Sequence, residues 1–139
     1  MPSETSRPTS SSCLDLVERT RILRMQLYDW NQLPAEQLNP LIRRRMIHSG
    51  QMTVARLELQ RDAVVPEHAH VNEQICTVER GALEFSIDGH RQVVRAGESL
   101  VIPPSVPHAV VALEDSLAVD IFTPRREDWI SGDDAYLRK

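Results

Sequence analysis

Apolar and polar residues alternate along most of the chain after residue 40, in short segments that end at turn residues. A period of two places successive side chains on opposite faces of an extended backbone, so each segment predicts a β-strand with one buried face. Asp88-Gly89 separates two such segments and predicts a two-residue hairpin turn, because both residues tolerate positive φ. About nine strands are predicted, over residues 41–47, 52–59, 64–70, 74–79, 83–87, 91–95, 99–102, 108–113 and 117–122. Strands this short and regular indicate an all-β antiparallel sandwich or barrel.

The chain before residue 40 has a different pattern. Residues 1–12 are mostly Ser, Thr and Pro, and such a stretch cannot bury enough apolar surface to become ordered. Residues 14–25 fit a short helix loosely, and residues 34–37, Pro-Ala-Glu-Gln, are typical of a helix start that Asn39-Pro40 ends. The chain is predicted to begin with a polar, helical or extended arm over residues 1–24. One domain follows over residues 25–139, and its core covers about residues 41–124.

Length and composition narrow the function. The 139 residues are the size of one average domain, and 41% hydrophobic with 26% charged residues is typical of a globular protein. The net charge of −4 gives no general attraction to nucleic acid or to anionic membranes, so we expect neither partner. No apolar run reaches the ~18 residues that span a bilayer, and residues 1–5 lack the features of a secretory signal, which favours a cytoplasmic protein. Cys13 and Cys76 show no metal or redox spacing, and we expect free thiols.

Histidines carry the candidate chemistry. His48 and His90 lie in or beside predicted turns and need no functional role. His68 and His70 are two residues apart in a predicted strand, so their imidazoles lie side by side on one face and form half of a transition-metal site. His108 begins a later strand, after a rigid proline-rich turn. A packed polar core is the alternative, but three buried histidines without a cation would leave polar atoms unsatisfied.

These histidines stand in two motifs that resemble those of the cupin family, over about residues 41–124. The first family motif has a Gly, His-x-His, a ligand Glu and a second Gly, and the corresponding residues here are Asp62, His68, His70, Gln74 and Gly81. The second has Gly, Pro-x-Gly, His and Asn, and the corresponding residues are Gly97, Pro103, Ser105, His108 and Ala112. Asp62 needs only to make a tight bend, and Ser105 can replace Gly if its turn uses negative φ.

The resemblance implies a double-stranded β-helix, an antiparallel jelly-roll barrel with a metal ion near one mouth. One divalent ion, Zn, Ni, Fe or Mn, would be held by His68, His70, Gln74 and His108. Glu73 is the alternative to Gln74 as a ligand, but the alternation of the strand favours Gln74. Without a carboxylate ligand the ion keeps its full charge and is a stronger Lewis acid toward an anionic substrate.

The last predicted strand contributes a second polar group. Its aliphatic residues share one face: Leu117, Val119 and Ile121. Asp120 lies on the other face beside Phe122, and a carboxylate between apolar residues needs a partner. Arg126 follows shortly afterwards and either pairs with Asp120 or holds a substrate carboxylate through two hydrogen bonds. Further aromatic and apolar residues are spaced to cover a barrel surface: Trp129, Tyr136 and Leu137.

The order Asp120-x-Phe122-x-Pro124-x-Arg126 is similar to that of the small cupins of pectin degradation, which open the ring of unsaturated monouronates. The resemblance implies a small carboxylate substrate and Lewis-acid-assisted proton transfer, with Asp120 and Arg126 as catalytic residues. Phe122, Arg126 and Cys76 would contact the substrate. Arg56 is a further candidate for holding an anion if its side chain turns inward, and an outward salt bridge is the alternative.

Two other functions fit the same residues. An Fe(II)-dependent dioxygenase of a small organic substrate would use the same three histidines. A cupin that binds a small molecule without catalysis would need no proton-transfer group, so Asp120→Ala would leave its ligand affinity unchanged. Small cupins commonly dimerise through N-terminal strands, and the resemblance therefore also implies a homodimer that forms through residues 28–47.

Overall fold

The computed structural model describes residues 25–139, so the predicted arm over residues 1–24, with Cys13, lies outside the described residues. The strands in this part of the chain are β1 (Glu36–Asn39), β2 (Ile42–His48), β3 (Thr53–Leu59), β4 (Val64–His68), β5 (Glu73–Arg80), β6 (Ala82–Ile87), β7 (His90–Arg95), β8 (Ser99–Ile102), β9 (His108–Ala112) and β10 (Ser116–Thr123). Short 3-10 turns lie at Trp30–Gln32 and Ala135–Arg138, and a one-turn helix, α1, at Glu127–Ile130. No helix in this described part is long and apolar enough to cross a bilayer.

Two antiparallel sheets enclose one apolar core. The larger sheet has the strand order β1-β2-β3-β10-β5-β8, and the smaller has the order β4-β9-β6-β7. The alternation of each strand determines its buried face: in β3, Ala55, Leu57 and Leu59 are buried while the residues between them are half-exposed. Phe85 and Val110 enter the same core from the smaller sheet. Each large apolar side chain buried there contributes about 1.5–3 kcal/mol.

The nine strands predicted from alternation are confirmed, each within two residues at either end. The Asp88-Gly89 hairpin is confirmed as well, because φ is 51° and 77° at these residues and Ile87 stands opposite His90 across the turn. Positive φ at both central residues gives the two strands the twist that a right-handed sheet requires. The prediction of an all-β antiparallel fold is therefore correct.

The helix start predicted at residues 34–37 is wrong, because this segment leads into β1. β1 pairs antiparallel with β2, and the carboxylate of Glu36 lies 2.9 Å from the guanidinium of Arg44. These long-range contacts override a weak local preference for helix. Arg44 itself is 2% exposed and points inward, where its side chain pairs with Asp134 at 2.8 Å.

The condition of negative φ, under which Ser105 would replace Gly without strain, is not met, because φ is 64° there. A residue with a Cβ atom pays about 1–2 kcal/mol for the left-handed conformation. In return, the Ser105 N–H donates a hydrogen bond of 2.7 Å to the carbonyl of His70. The turn that leads into His108 of β9 is thereby tied to the loop after β4, which carries His70.

Candidate metal centre

Three histidines cluster at a cavity between the sheets, and His68 and His108 line it directly. His68 ends β4, His108 begins β9, and the two residues stand opposite each other in the strand pairing. His70 lies two residues beyond β4, so the prediction that this strand continues to His70 is wrong. Its ring centroid is nevertheless only 5.6 Å from that of His68 and 5.0 Å from that of His108. One ring nitrogen from each histidine lies within 4.8 Å of the others.

The backbone fixes the tautomer of each ring. Nδ1 of His68 lies 2.8 Å from the carbonyl of Pro66, and Nδ1 of His70 lies 3.0 Å from the carbonyl of Asn72. Nδ1 of His108 lies 2.8 Å from the carbonyl oxygen of Val106. Because a carbonyl can only accept, each Nδ1 carries the proton and each Nε2 keeps its lone pair, as in histidine metal ligands.

The histidines are held in their neutral form. Burial lowers the pKa of His68 and of His70 to about 4, and it also lowers the pKa of His108. The Nε2 atom of His108 is buried and has no hydrogen-bond partner among the described residues. An unsatisfied buried acceptor is costly, whereas three neutral Nε2 atoms directed at one point are the donor set that a divalent transition metal prefers. The residues present therefore fit a metal ion.

Gln74 extends this donor set. Its side chain is 6% exposed and lines the cavity, whereas Glu73 is exposed on the other face of β5. The Oε1 atom of Gln74 lies 3.0 Å from Nε2 of His70. Because this Nε2 carries no proton, the contact is favourable when a cation binds both atoms or when the amide is turned so that its NH2 group donates.

A carboxyl group stands beside these side chains. Asp120 of β10 lies opposite Cys76 of β5 and lines the cavity, as its alternation with the aliphatic residues predicts. Its Oδ1 atom is buried and lacks a hydrogen-bond partner within residues 25–139. Burial raises the pKa of this carboxyl to about 6, although the side chains of Cys76 and Gln74 and the charge of Arg126 act in the opposite direction. The cavity thus contains a carboxyl group that is able to exchange a proton near neutral pH.

The ion pair between Arg126 and Asp120, one of the two interpretations of the sequence, is not formed. The guanidinium of Arg126 instead binds the carboxylate of Asp128 through two atoms, Nε at 3.0 Å and Nη2 at 2.8 Å. Nη2 also donates to the hydroxyl of Tyr136 at 2.9 Å. The edge that would hold a substrate carboxylate through two hydrogen bonds is therefore occupied, and only Nη1 has no partner among the described residues.

The remaining predicted substrate contacts divide into two groups. Phe122 and Cys76 line the cavity, and the ring of Phe122 packs edge-on against His70 with centroids 5.5 Å apart. Burial and the neighbouring Asp120 raise the pKa of the Cys76 thiol well above its usual value, so it stays protonated. Arg56 lies on the outer face of β3, where its side chain is 3.6 Å from that of Glu79. The outward salt bridge is thus the interpretation that the structure supports, and Arg56 is not part of the cavity.

The tail after β10 adds site residues that the sequence analysis did not assign to the site. Trp129 and Tyr136 line the cavity, and the ring of Tyr136 stacks on His68 with centroids 4.5 Å apart. The aromatic character of Trp129 and Tyr136, close after the last strand, was the one feature of the sequence that could have assigned them to the site. The partner of Arg126, Asp128, could not be distinguished in the sequence from any other exposed acid.

Comparison with known proteins agrees with the fold and with the motifs. The Cupin domain family model matches residues 55–123. The chain is 28% identical over 103 residues to the pectin degradation protein KdgF of Dickeya dadantii (strain 3937), covering 72% of this chain and 94% of that protein.

Solved structures give the same result. The structure of KdgF from Halomonas sp. is 30% identical, has a TM-score of 0.71, and is matched over 76% of this chain and 98% of that chain. An RmlC-like cupin from Shewanella frigidimarina NCIMB 400 is 26% identical, with a TM-score of 0.71 and coverage of 76% of this chain and 96% of that chain. The chain therefore belongs to the cupin family and is homologous to the KdgF pectin degradation cupins.

Proposed function

We propose that this cupin is a metal-dependent enzyme that opens the ring of an unsaturated monouronate or a similar small sugar acid. The observation that carries the proposal is the buried Asp120 carboxyl, which has no partner for Oδ1 among the described residues. It lines the same cavity as His68 and His108, two members of the three-histidine cluster. The homology to a pectin degradation protein supplies the substrate class.

One divalent ion, Zn, Ni, Fe or Mn, would be held by His68, His70, His108 and Gln74. When bound, it would act as a Lewis acid that polarises the oxygens of the substrate. All four protein ligands are neutral, so the positive charge of the ion is not compensated by its ligands. An anionic sugar acid is the type of substrate that such a site favours.

Asp120 is proposed to move the proton. It takes the proton from the hemiacetal hydroxyl at C1, the bond between C1 and the ring oxygen breaks as the C1 carbonyl forms, and the electron pair of that bond passes to the ring oxygen. The resulting enolate regains the proton at C4 from the Asp120 carboxyl and becomes a ketone. Substrate and product are isomers, so this sequence needs no oxidant, reductant or second substrate.

The other cavity residues are proposed to orient the substrate. Nη1 of Arg126 is the part of the guanidinium that remains for the substrate carboxylate, since Nε and Nη2 bind Asp128. A single hydrogen bond from Arg126 therefore replaces the two-point contact expected from the sequence. Phe122 and Cys76 form an apolar wall that excludes water from the reacting atoms.

Asp120→Asn tests the proposed base. This variant keeps the shape of the side chain but cannot take a proton, so it should retain fold and metal while losing on the order of 10²-fold or more in turnover of an unsaturated monouronate. The loss of absorbance from the C4–C5 double bond measures the turnover. Asp133→Asn is the matched control, because Asp133 is exposed. Unchanged turnover in Asp120→Asn would remove this residue from the mechanism.

His108→Ala tests the ligands. It should abolish stoichiometric metal in protein assayed by mass spectrometry while the far-UV spectrum stays unchanged, since the strand hydrogen bonds do not need the imidazole. His90→Ala, an exposed histidine of β7, should keep full metal content. Full metal occupancy in His108→Ala would show that the ligands are wrong. Oxygen uptake with iron-loaded protein would instead favour the dioxygenase, and ligand binding without turnover would favour a non-enzymatic cupin.

The quaternary structure is a separate part of the proposal. An apolar row crosses the outer face of the larger sheet in register, formed by Ile47, Val54, Ile121, Ile75 and Val101. Val101 is 56% exposed and Ile75 is 39% exposed. Because Ile47 ends the predicted interface of residues 28–47, the row supports a homodimer through this side of the barrel. Light scattering that shows a monomer at all concentrations would contradict it.

A further inference from the structure

The tail that follows β10 is fixed over the cavity at both ends of its last turn. The buried carboxylate of Asp134 accepts hydrogen bonds from Arg44 at 2.8 Å and from Arg138 at 2.9 Å. The side chain of Leu137 is buried in the core, and its carbonyl accepts from Asn39 Nδ2 at 3.1 Å. Tyr136 lies between these anchors. The family model ends at residue 123, so this tail is outside the part of the chain that the model describes.

The hydroxyl of Tyr136 is held by two donors. Its oxygen accepts hydrogen bonds from Nη2 of Arg126 at 2.9 Å and from Nε1 of Trp129 at 3.2 Å. Neither an arginine nor a tryptophan side chain has an acceptor atom. The hydroxyl must therefore be the acceptor in both bonds, and its own proton takes part in neither. No side chain or carbonyl of residues 25–139 accepts that proton, although Tyr136 lines the cavity.

We propose that Tyr136 is a substrate-binding residue whose hydroxyl donates a hydrogen bond to an oxygen of the ligand in this cavity. The donor is strengthened by its surroundings, because a hydrogen bond accepted from a guanidinium polarises the O–H group further. Stacking on His68 keeps the ring beside the histidine cluster. That the ligand is a sugar acid rests on the proposed function, and a sugar acid presents carboxylate, hydroxyl and ring oxygens that all accept.

Arg126 acquires a positioning role in this arrangement. Its guanidinium is fixed by Asp128 and lies over the ring of Trp129, 4.0 Å from the centroid. Arg126 therefore holds its own Nη2 next to Nε1 of Trp129, and these two atoms are the donors to the Tyr136 oxygen. A purely structural role for Tyr136, as an acceptor for buried donors, predicts that loss of the hydroxyl lowers stability without changing the affinity for a ligand.

The first measurement compares Tyr136→Phe with the parent protein, using zinc-loaded protein and galacturonate, a saturated uronate that cannot undergo the reaction. Phe keeps the stacked ring and removes only the hydroxyl. We expect calorimetry to show about tenfold weaker binding, the effect of losing one hydrogen bond to a charged or polarised partner. Tyr28→Phe is the matched control, because Tyr28 is exposed and is not a cavity residue. Equal affinities in Tyr136→Phe and the parent protein overturn the proposal.

The second measurement needs no change at residue 136. The sequence contains two tyrosines, so Tyr136 is the only one left in Tyr28→Phe. With tyrosine labelled by carbon-13 at Cζ, the single resonance should shift when galacturonate is added, because Cζ responds to the hydrogen bonding of its hydroxyl. A resonance that does not move at any galacturonate concentration overturns the proposal, even if Tyr136→Phe fails to fold.

Turnover of an unsaturated monouronate separates this proposal from the proposed function. If the parent protein turns it over and Tyr136→Phe keeps both the parent rate and the parent galacturonate affinity, the role of Tyr136 is wrong and the function stands. If the parent protein shows no turnover, the proposed function fails. The galacturonate measurements then still decide whether Tyr136 contacts a ligand.

Discussion

Replacing Asp134 by Ala tests how the C-terminal tail is held on the barrel. Asp134 is 2% exposed and bridges Arg44 and Arg138. The side chain of Arg44 is 1% exposed, and its Nε and Nη1 atoms are buried without a partner in the described part of the chain. Loss of Asp134 leaves this buried cation with one charged partner among the described residues, Glu36, whose side chain is 44% exposed.

We expect Asp134→Ala to lower the free energy of unfolding by about 3 kcal/mol. Removing one partner of a buried ion pair costs about 3–5 kcal/mol, and the remaining Glu36 contact keeps the loss at the lower end. The contact with Arg138 adds little, because its side chain is 42% exposed and is screened by water. The double replacement Arg44→Met with Asp134→Leu should recover most of the loss, since it leaves no buried charge.

Urea unfolding followed by tryptophan fluorescence measures these differences, provided that the dependence on urea is the same in each variant. Arg43→Ala is the control, because it breaks a surface contact of 3.6 Å with Glu58 in which both side chains are more than 40% exposed. It should change stability by less than about 0.5 kcal/mol. A loss below about 1 kcal/mol in Asp134→Ala would refute the argument that a buried ion pair anchors the tail.

The pH dependence gives an independent check on the same pair. Burial alone would raise the pKa of Asp134, but the hydrogen bonds and charges of Arg138 and Arg44 lower it below its ordinary value of 3.8. A lowered pKa in the folded state contributes stability that is complete above the unfolded-state pKa and is lost as pH falls through the folded-state pKa. The stability difference between the parent protein and Asp134→Ala should therefore be constant above about pH 5 and shrink below about pH 4. A difference that grows on acidification would contradict this assignment.

Two further predictions concern Gly81 and Cys76. Gly81→Ala should lower the free energy of unfolding by at least about 2 kcal/mol in the same urea assay. The reason is that φ is 86° and that a Cβ atom would collide with the Ser116 hydroxyl and the Asp115 carbonyl. An unchanged urea midpoint would show that this turn can relax. In a Cys13→Ser background, Cys76 should resist an aromatic disulfide reagent at pH 8 until urea unfolds the protein, because the thiol is buried and its pKa is raised. Rapid labelling of the native protein would contradict that location.

The strands could be predicted from the sequence because their signal is local. Alternation marks which residues of β3 and β10 face the core, and the same alternation separates Gln74 from Glu73. The Asp88-Gly89 hairpin is likewise determined by two residues and their neighbours. Local rules of this kind do not need the tertiary structure to be known.

The features that the sequence did not reveal depend on residues that are distant in the chain. β1 forms although its residues suggest a helix start, because it pairs with β2 and because Glu36 contacts both Arg44 and Arg138. Ser105 adopts positive φ because its N–H reaches the carbonyl of His70, 35 positions earlier. The local preferences are worth about 2 kcal/mol or less per residue, and long-range contacts such as these outweigh them.

Arg126 shows the same limit at the site itself. Spacing along the chain allowed both Asp120 and a substrate carboxylate as its partner, and it could not show that Asp128, two residues away, takes both Nε and Nη2. The turn into α1 folds the chain back, and Asp128 then meets the guanidinium directly.

The cavity consequently has two parts that depend on the sequence in different ways. Each histidine is oriented by a carbonyl two residues away, so the direction of the ligands is determined inside short local segments, at the end of β4, in the loop after it and at the start of β9. Arg126 and Tyr136 are instead oriented by a tail that is anchored through Arg44 and Asn39 at the other end of the chain. A change in the tail can alter the groups beside the histidines without altering the histidines themselves. We therefore expect metal affinity to depend on these local segments of the barrel, and the affinity for the ligand of the cavity to depend on the tail.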